Sequence, residues 1–253
     1  PTPGTSNVRL GVNAGNSITS GTNYNVCVGD EAGTALDGGD RNTAVGYGAL
    51  KTEDGHGSNV AIGTDALGTL NVGADGENVA VGRAACGNLT TGVQNTIIGS
   101  MALDYANAAN ENVAVGYNSL TSDLKGDRST ALGTNTLTTQ QFGGSTNTYN
   151  VAVGYDAGND ITTGINNTCI GSLAGDELTD ADDNVAVGYA ALGNNLLGSR
   201  NTALGAYTLE TSDPGSAVQM NNTAVGYNSG YSITTGISNT FVGSMAGDGT
   251  NDG

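Results

Sequence analysis

One short phrase recurs along this chain and leaves few folds open to it. The phrase is Asn, then Thr or Val, then a small residue, then Val, Ile or Leu, then Gly. Its Gly falls at Gly11, Gly29, Gly46, Gly63, Gly82, Gly99, Gly116, Gly133, Gly154, Gly171, Gly188, Gly205, Gly226 and Gly243, which makes 14 copies in 253 residues. The base spacing is 17, with 18, 19 or 21 only at certain steps. A second period lies above it: Gly11, Gly82, Gly154 and Gly226 are 71, 72 and 72 residues apart. The unit of duplication is therefore four phrases, and the repeats run approximately over 7–77, 78–149, 150–221 and a truncated 222–253. Repetition at a fixed short period is the mark of a solenoid, in which each unit buries its apolar face on the next. The whole chain, 1–253, reads as one repetitive domain.

Within each copy the residue before the Gly is aliphatic and the residue two earlier is Val or Thr, in all 14. This is strand alternation. The expected arrangement puts the two branched residues in the core and the small one outside. The second half of each copy, such as Tyr117-Asn118-Ser119-Leu120, reads as a second short strand, followed by a turn rich in Gly, Asn, Asp and Thr. Two short strands per coil make an all-β parallel β-solenoid of about 14 coils of ~17 residues, roughly 60 Å long at the ~4.8 Å strand spacing. Four before the Gly stands Asn in 13 of 14 copies, Ser129 being the exception, so an Asn ladder is expected to hydrogen-bond along the stack. The Gly column suits a positive φ or a close approach at a tight corner.

The small column is Ala44, Ala61, Ala80, Ala114, Ala131, Ala152, Ala186, Ala203 and Ala224, with Cys27, Ile97, Cys169 and Phe241 in the second coil of each long repeat. If this column faces outward, it is the natural subunit interface, since Ala lets another backbone approach and a thin core gains from added burial. Cys27 and Cys169 lie eight coils apart and cannot bridge within one chain; buried, reduced thiols are expected.

Composition narrows the function. Charge is −17 from 24 acidic and 7 scattered basic residues, which excludes nucleic acid and anionic membrane surfaces as partners. No apolar run is long enough to insert in a bilayer. No initiator Met or signal peptide is present, and the last long repeat is cut short, so a processed chain or a piece of a longer one is expected. Catalysis has little material: His56 is alone in a turn, and the carboxylate pairs sit in variable turns where charge solvates. No enzyme activity and no cofactor are expected. Calcium is the one ion that the oxygen-rich Asp/Asn turns would suit, although no ligand series repeats from coil to coil.

Long turns on a rigid scaffold commonly carry binding. Residues 138–149 and 210–221 are the longest, and each carries an apolar side chain in a polar loop, Phe142 and Met220. They are the first receptor-contact candidates, followed by Tyr47, Tyr117 and Tyr189, which follow the Gly in the third coil of successive long repeats.

The phrases NTAVGYGAL at 42–50, NVAVGYNSL at 112–120 and NVAVGYAAL at 184–192 resemble the YadA-like head of trimeric autotransporter adhesins, and more closely the NTAVGYxAL arrays of phage tail-fibre proteins. The resemblance spans Asn7 to Gly247. It implies a left-handed β-roll, a homotrimeric fibre, and a place on a virion tail fibre or at the cell surface, among other fibre or virion proteins. The function so implied is a structural and adhesive fibre segment that holds a cell-surface glycan or protein through its turns. The alternatives are a tailspike-type glycan depolymerase and an extracellular scaffold filament without a receptor.

Overall fold

The computed structural model describes residues 6–53 and 55–249; residues 1–5, 54 and 250–253 lie outside the described residues. The fold is all-β, a parallel β-solenoid of about 14 turns spaced about 17 residues apart, with no α-helix among the described residues. The chain divides into two compact units, Pro1–Asp127 with Gly143–Ser145, and Arg128–Phe142 with Thr146–Gly253.

The first unit carries seven core strands, β1 (Val8–Leu10), β2 (Val26–Val28), β3 (Thr43–Val45), β4 (Val60–Ile62), β5 (Val79–Val81), β6 (Thr96–Ile98) and β7 (Val113–Val115), and ends on the two-residue β8 (Gly126–Asp127). The second carries β9 (Thr130–Leu132), β10 (Thr146–Asn147), β11 (Val151–Val153), β12 (Thr168–Ile170), β13 (Val185–Val187), β14 (Gly198–Ser199), β15 (Thr202–Leu204), β16 (Val218–Gln219), β17 (Thr223–Val225) and β18 (Thr240–Val242). Neighbouring core strands pair parallel and in register, so that Ala152 lies beside Cys169 and Cys169 beside Ala186. In the second unit a long turn adds a further parallel pair, β14 with β16.

Each strand is three residues long for identifiable reasons. Its start is fixed by the Asn ladder. The Asn42 amide N–H donates to the Asn25 carboxamide oxygen at 2.8 Å, while the Asn25 side-chain NH₂ donates to the Gly39 carbonyl at 2.8 Å. The same two bonds recur at Asn95 (from Asn112 N–H, 3.0 Å; to Ala109, 2.8 Å) and at Asn167 (from Asn184 N–H, 3.0 Å; to Ala181, 2.7 Å). One buried amide thus satisfies a donor and an acceptor that the bend would otherwise strand. The strand stops at the Gly. At Gly99 φ is +148°, and a Cβ there would lie 2.1 Å from the Gly116 carbonyl oxygen, so backbone stacks on backbone with no room for a side chain.

The expected second strand is not formed. The stretch after each Gly is a run of tight turns, because alternate residues are left-handed: in the coil after Gly63, Asp65 has φ +54° and Leu67 φ +49°. The turn amides still bond between coils, Asp65 N–H to Tyr47 C=O at 2.9 Å and Leu67 N–H to Ala85 C=O at 3.0 Å.

The strand faces are also the reverse of expectation. The small column points inward: Ala44, Ala61, Ala80, Ala114, Ala131, Ala152, Ala186, Ala203 and Ala224 are all fully buried within one chain, as are Cys27, Ile97 and Cys169. Phe241 is half-buried. An interface on the Ala column is therefore overturned. The reason is volume. The turns send three further columns into the core, three, four and seven residues after the Gly, such as Ala66, Leu67 and Leu70 or Ala102, Leu103 and Ala106, all fully buried. That leaves space for little more than a methyl group on the strand. Larger residues there are matched elsewhere in the same coil. Cys27 faces Gly33 and Cys169 faces Gly175, while Ile97 and Leu103 share their coil with the small Ala106. The three cysteines are free and buried. Burial pushes the thiol of Cys27 up to about 11 and that of Cys169 up to about 12, which keeps both protonated and inert.

Candidate functional surface

With Ala inside, the branched residues form the outer face of the sheet. In the first unit Ile62 is 39% and Ile98 43% exposed; in the second, Ile170 is 39% and Leu204 46% exposed. Val and Thr line the parallel column two residues earlier. Each unit therefore shows water a ridged strip in which Val, Ile or Leu stack in one column and Val or Thr in the other. A contiguous apolar strip of this kind marks an interaction surface.

The tyrosines border that strip. Tyr47, Tyr117 and Tyr189 occupy the same place in their coils and are about half exposed, with Tyr155 and Tyr227 in equivalent places. Tyr189 is joined by a residue that sequence reasoning missed. Tyr207 meets Tyr189 edge to face at 5.2 Å between ring centroids and meets Tyr227 at 6.1 Å and 85°. Tyr207, Tyr227 and Tyr231 then line an open cleft of about 260 Å³ together with Glu210 and Asn228. The signal was present in the spacing: Tyr207 and Asn228 both stand two residues after a Gly, Glu210 and Tyr231 both five after, in consecutive coils.

The other receptor-contact candidates lie elsewhere. Phe142 is only 7% exposed and Met220 is fully buried, so neither is presented to a partner. The Met220 region shows why. Pairing of β16 with β14 folds the long turn back onto its coil, and the Met220 amide donates to the Ser199 carbonyl at 3.0 Å. The Met220 sulfur then fills the space beside Gly198, 2.4 Å from where a Cβ would stand. Arg200 secures the turn from outside, donating to the Gln219 side-chain oxygen at 2.7 Å.

His56 sits over Glu53, whose carboxylate is fully buried and accepts the amides of His56 at 3.1 Å and Val72 at 3.3 Å. Asp123 and Asn195, at the same place in later long repeats, likewise accept the amide three residues on, from Gly126 at 2.8 Å and Gly198 at 2.7 Å. The Glu53–His56 pair is thus a turn cap. Among the described residues, no three His, Cys, Asp or Glu side chains are grouped to hold a metal ion. No described helix is long and apolar enough to cross a membrane.

These features define the class of the molecule, a parallel β-solenoid repeat protein with one exposed aliphatic sheet face. No protein-family model, curated protein or solved structure is significantly similar to the chain.

Proposed function

We propose that the chain is a structural and adhesive segment of an extracellular fibre, of the kind found in phage tail fibres and bacterial surface adhesins, and that it works as a homotrimer without enzymatic activity. The observation that carries this reading is the exposed aliphatic strip. Ile62, Ile98, Ile170 and Leu204 stand at one constant place in their coils, so that each coil adds a partly exposed aliphatic side chain. A second and third copy carry the same periodic ridges and match that strip, as self-association requires. The repeated Tyr residues beside the strip stay accessible and supply the contact with a surface glycan or protein. Their amphipathic rings stack on apolar faces at little entropic cost, and three copies of each site add avidity.

Sedimentation equilibrium tests the assembly. The unmodified protein is expected to run as a trimer of its 25.0 kDa chain. Ile170→Glu with Leu204→Glu is expected to run as a folded monomer, because a trimer would bury six like charges, which oppose association. An unmodified protein that stays monomeric at high concentration overturns the trimer. Adhesion is read on a glycan array, where Tyr189→Ala is expected to lose signal held by the parent.

A further inference from the structure

The cleft in the second unit has a composition found nowhere else along the repeats. The positions two and five residues after the Gly elsewhere carry mostly small or polar side chains, such as Ala190 and Gly193 or Asn135 and Thr138. At the coils of Gly205 and Gly226 they carry Tyr207, Glu210, Asn228 and Tyr231, and Tyr227 closes one side. Backbone bonds hold the two coils together there, Leu209 N–H to Ser229 C=O at 3.1 Å and Asn228 N–H to Ala206 C=O at 3.0 Å. The walls are thus fixed by the solenoid and do not depend on a loose loop.

Two polar atoms of the residues lining this cleft have no partner, one Glu210 carboxylate oxygen and the Asn228 side-chain oxygen; both are covered by neighbouring atoms, so a ligand in the cleft reaches them through a rotamer change of Glu210 and Asn228. Both are acceptors, and one carries charge. Burial alone shifts the Glu210 carboxyl, lifting it above the usual carboxylate range with no nearby cation to oppose the lift. A ligand that completes the site must therefore bring N–H or O–H donors, and a positive charge meets the most unsatisfied needs at once. The rings add to this preference. Tyr207 and Tyr227 stand nearly perpendicular, at 85°, and aromatic faces attract a cation held against them.

The chain contains its own precedent for this groove. Lys51 stands five residues after Gly46, and Asp65 two after Gly63, which is the same pairing of positions in consecutive coils. There the Lys51 ammonium donates to the Asp65 carboxylate at 3.1 Å. The two columns thus stand close enough for an ammonium and a carboxylate to pair across consecutive coils, there at the half-exposed surface. At Glu210 and Asn228 the acceptors are present and the ammonium is not supplied by the chain.

We propose that the cleft of Tyr207, Glu210, Tyr227, Asn228 and Tyr231 binds a primary ammonium group, donated to the Glu210 carboxylate and the Asn228 oxygen and flanked by the tyrosine rings. Two sources carry that chemistry, a lysine side chain on a protein surface and a deacetylated amino sugar. The site lies within one chain and does not rest on trimer formation.

The test is an NMR titration of the full chain with ¹³C-labelled tyrosine, using Nα-acetyl-lysine amide, glucosamine, N-acetylglucosamine and glucose as probes. The ammonium probes are expected to shift the cleft tyrosines saturably, and whichever binds tighter names the source. Glu210→Gln keeps the acceptor but removes the charge and should weaken that binding about tenfold. Asn228→Asp, at a left-handed position that Asp tolerates, should strengthen it about threefold or more. Equal shifts with N-acetylglucosamine or glucose, or unchanged binding in Glu210→Gln with an unchanged melting temperature, would overturn the proposal. The array and sedimentation outcomes above stand or fall separately.

Discussion

The sulfur of Cys169 occupies the space that a side chain on Gly175 would need: a Cβ there would lie 2.7 Å from Sγ. In the next coil Ala186 and Leu192 hold the same two places, both fully buried. The two pairs are alternative ways of filling one slice of core. Gly175→Ala alone should destabilise by about 1–3 kcal/mol, from overpacking and the left-handed backbone. Cys169→Ala with Gly175→Leu recreates the neighbouring pair and should recover most of that loss. A double-mutant cycle by chemical denaturation reads the coupling; simple additivity of the two changes would contradict the shared-volume account.

The one break in the Asn ladder makes a second prediction. Ser129 replaces Asn, and Gln140 of the same coil fills in: its NH₂ donates to Ser129 Oγ at 2.9 Å, and its carbonyl accepts from the Asn150 side chain at 2.8 Å. Gln140→Leu should cost about 1–3 kcal/mol by stranding buried polar groups. Ser129→Asn with Gln140→Leu reproduces the Asn59 and Leu70 pattern found in the first long repeat, and its melting temperature should return close to that of the parent.

Met220 is a packing residue. Met220→Ala should destabilise by about 2–5 kcal/mol through the cavity it leaves, and trimming residues 210–221 to the 17-residue register should lower the melting temperature as well. A trimmed protein that melts like the parent would place the turn outside the core.

Acidity should stabilise the fold. Desolvation, with like charge from Glu177, Asp160 and Asp156, lifts the Asp176 carboxyl to about 7. Desolvation also lifts Glu53 and Asp104 above their usual values. A carboxyl raised in the folded state binds its proton more tightly folded than unfolded. Its contribution is therefore present in full at low pH and is lost as pH rises from about 4 through 7. The melting temperature should fall between pH 5 and pH 8, and Asp176→Asn should flatten that slope. Added salt should raise the melting temperature near pH 8 by screening the −17 net charge.

The repeat period, the parallel stacking, the Asn ladder and the stacked Gly corner could all be read from the chain, because each follows from identical residues recurring at a fixed spacing. The orientation of the strand could not. Alternation states that Val79 and Val81 share a face and Ala80 takes the other, but which face is inside depends on how much volume the turns bring in. Leu67 and Leu70 arrive from turns whose left-handed residues do not resemble a strand or a helix in sequence, and they take the space that the aliphatic columns were expected to fill. The same holds for function: Phe142 and Met220 look exposed in a polar turn until the turn folds back over them, whereas Tyr207, Glu210, Asn228 and Tyr231 become one cleft only when consecutive coils stack. Local pattern determined the columns; competition for the interior of a narrow coil decided which columns face water.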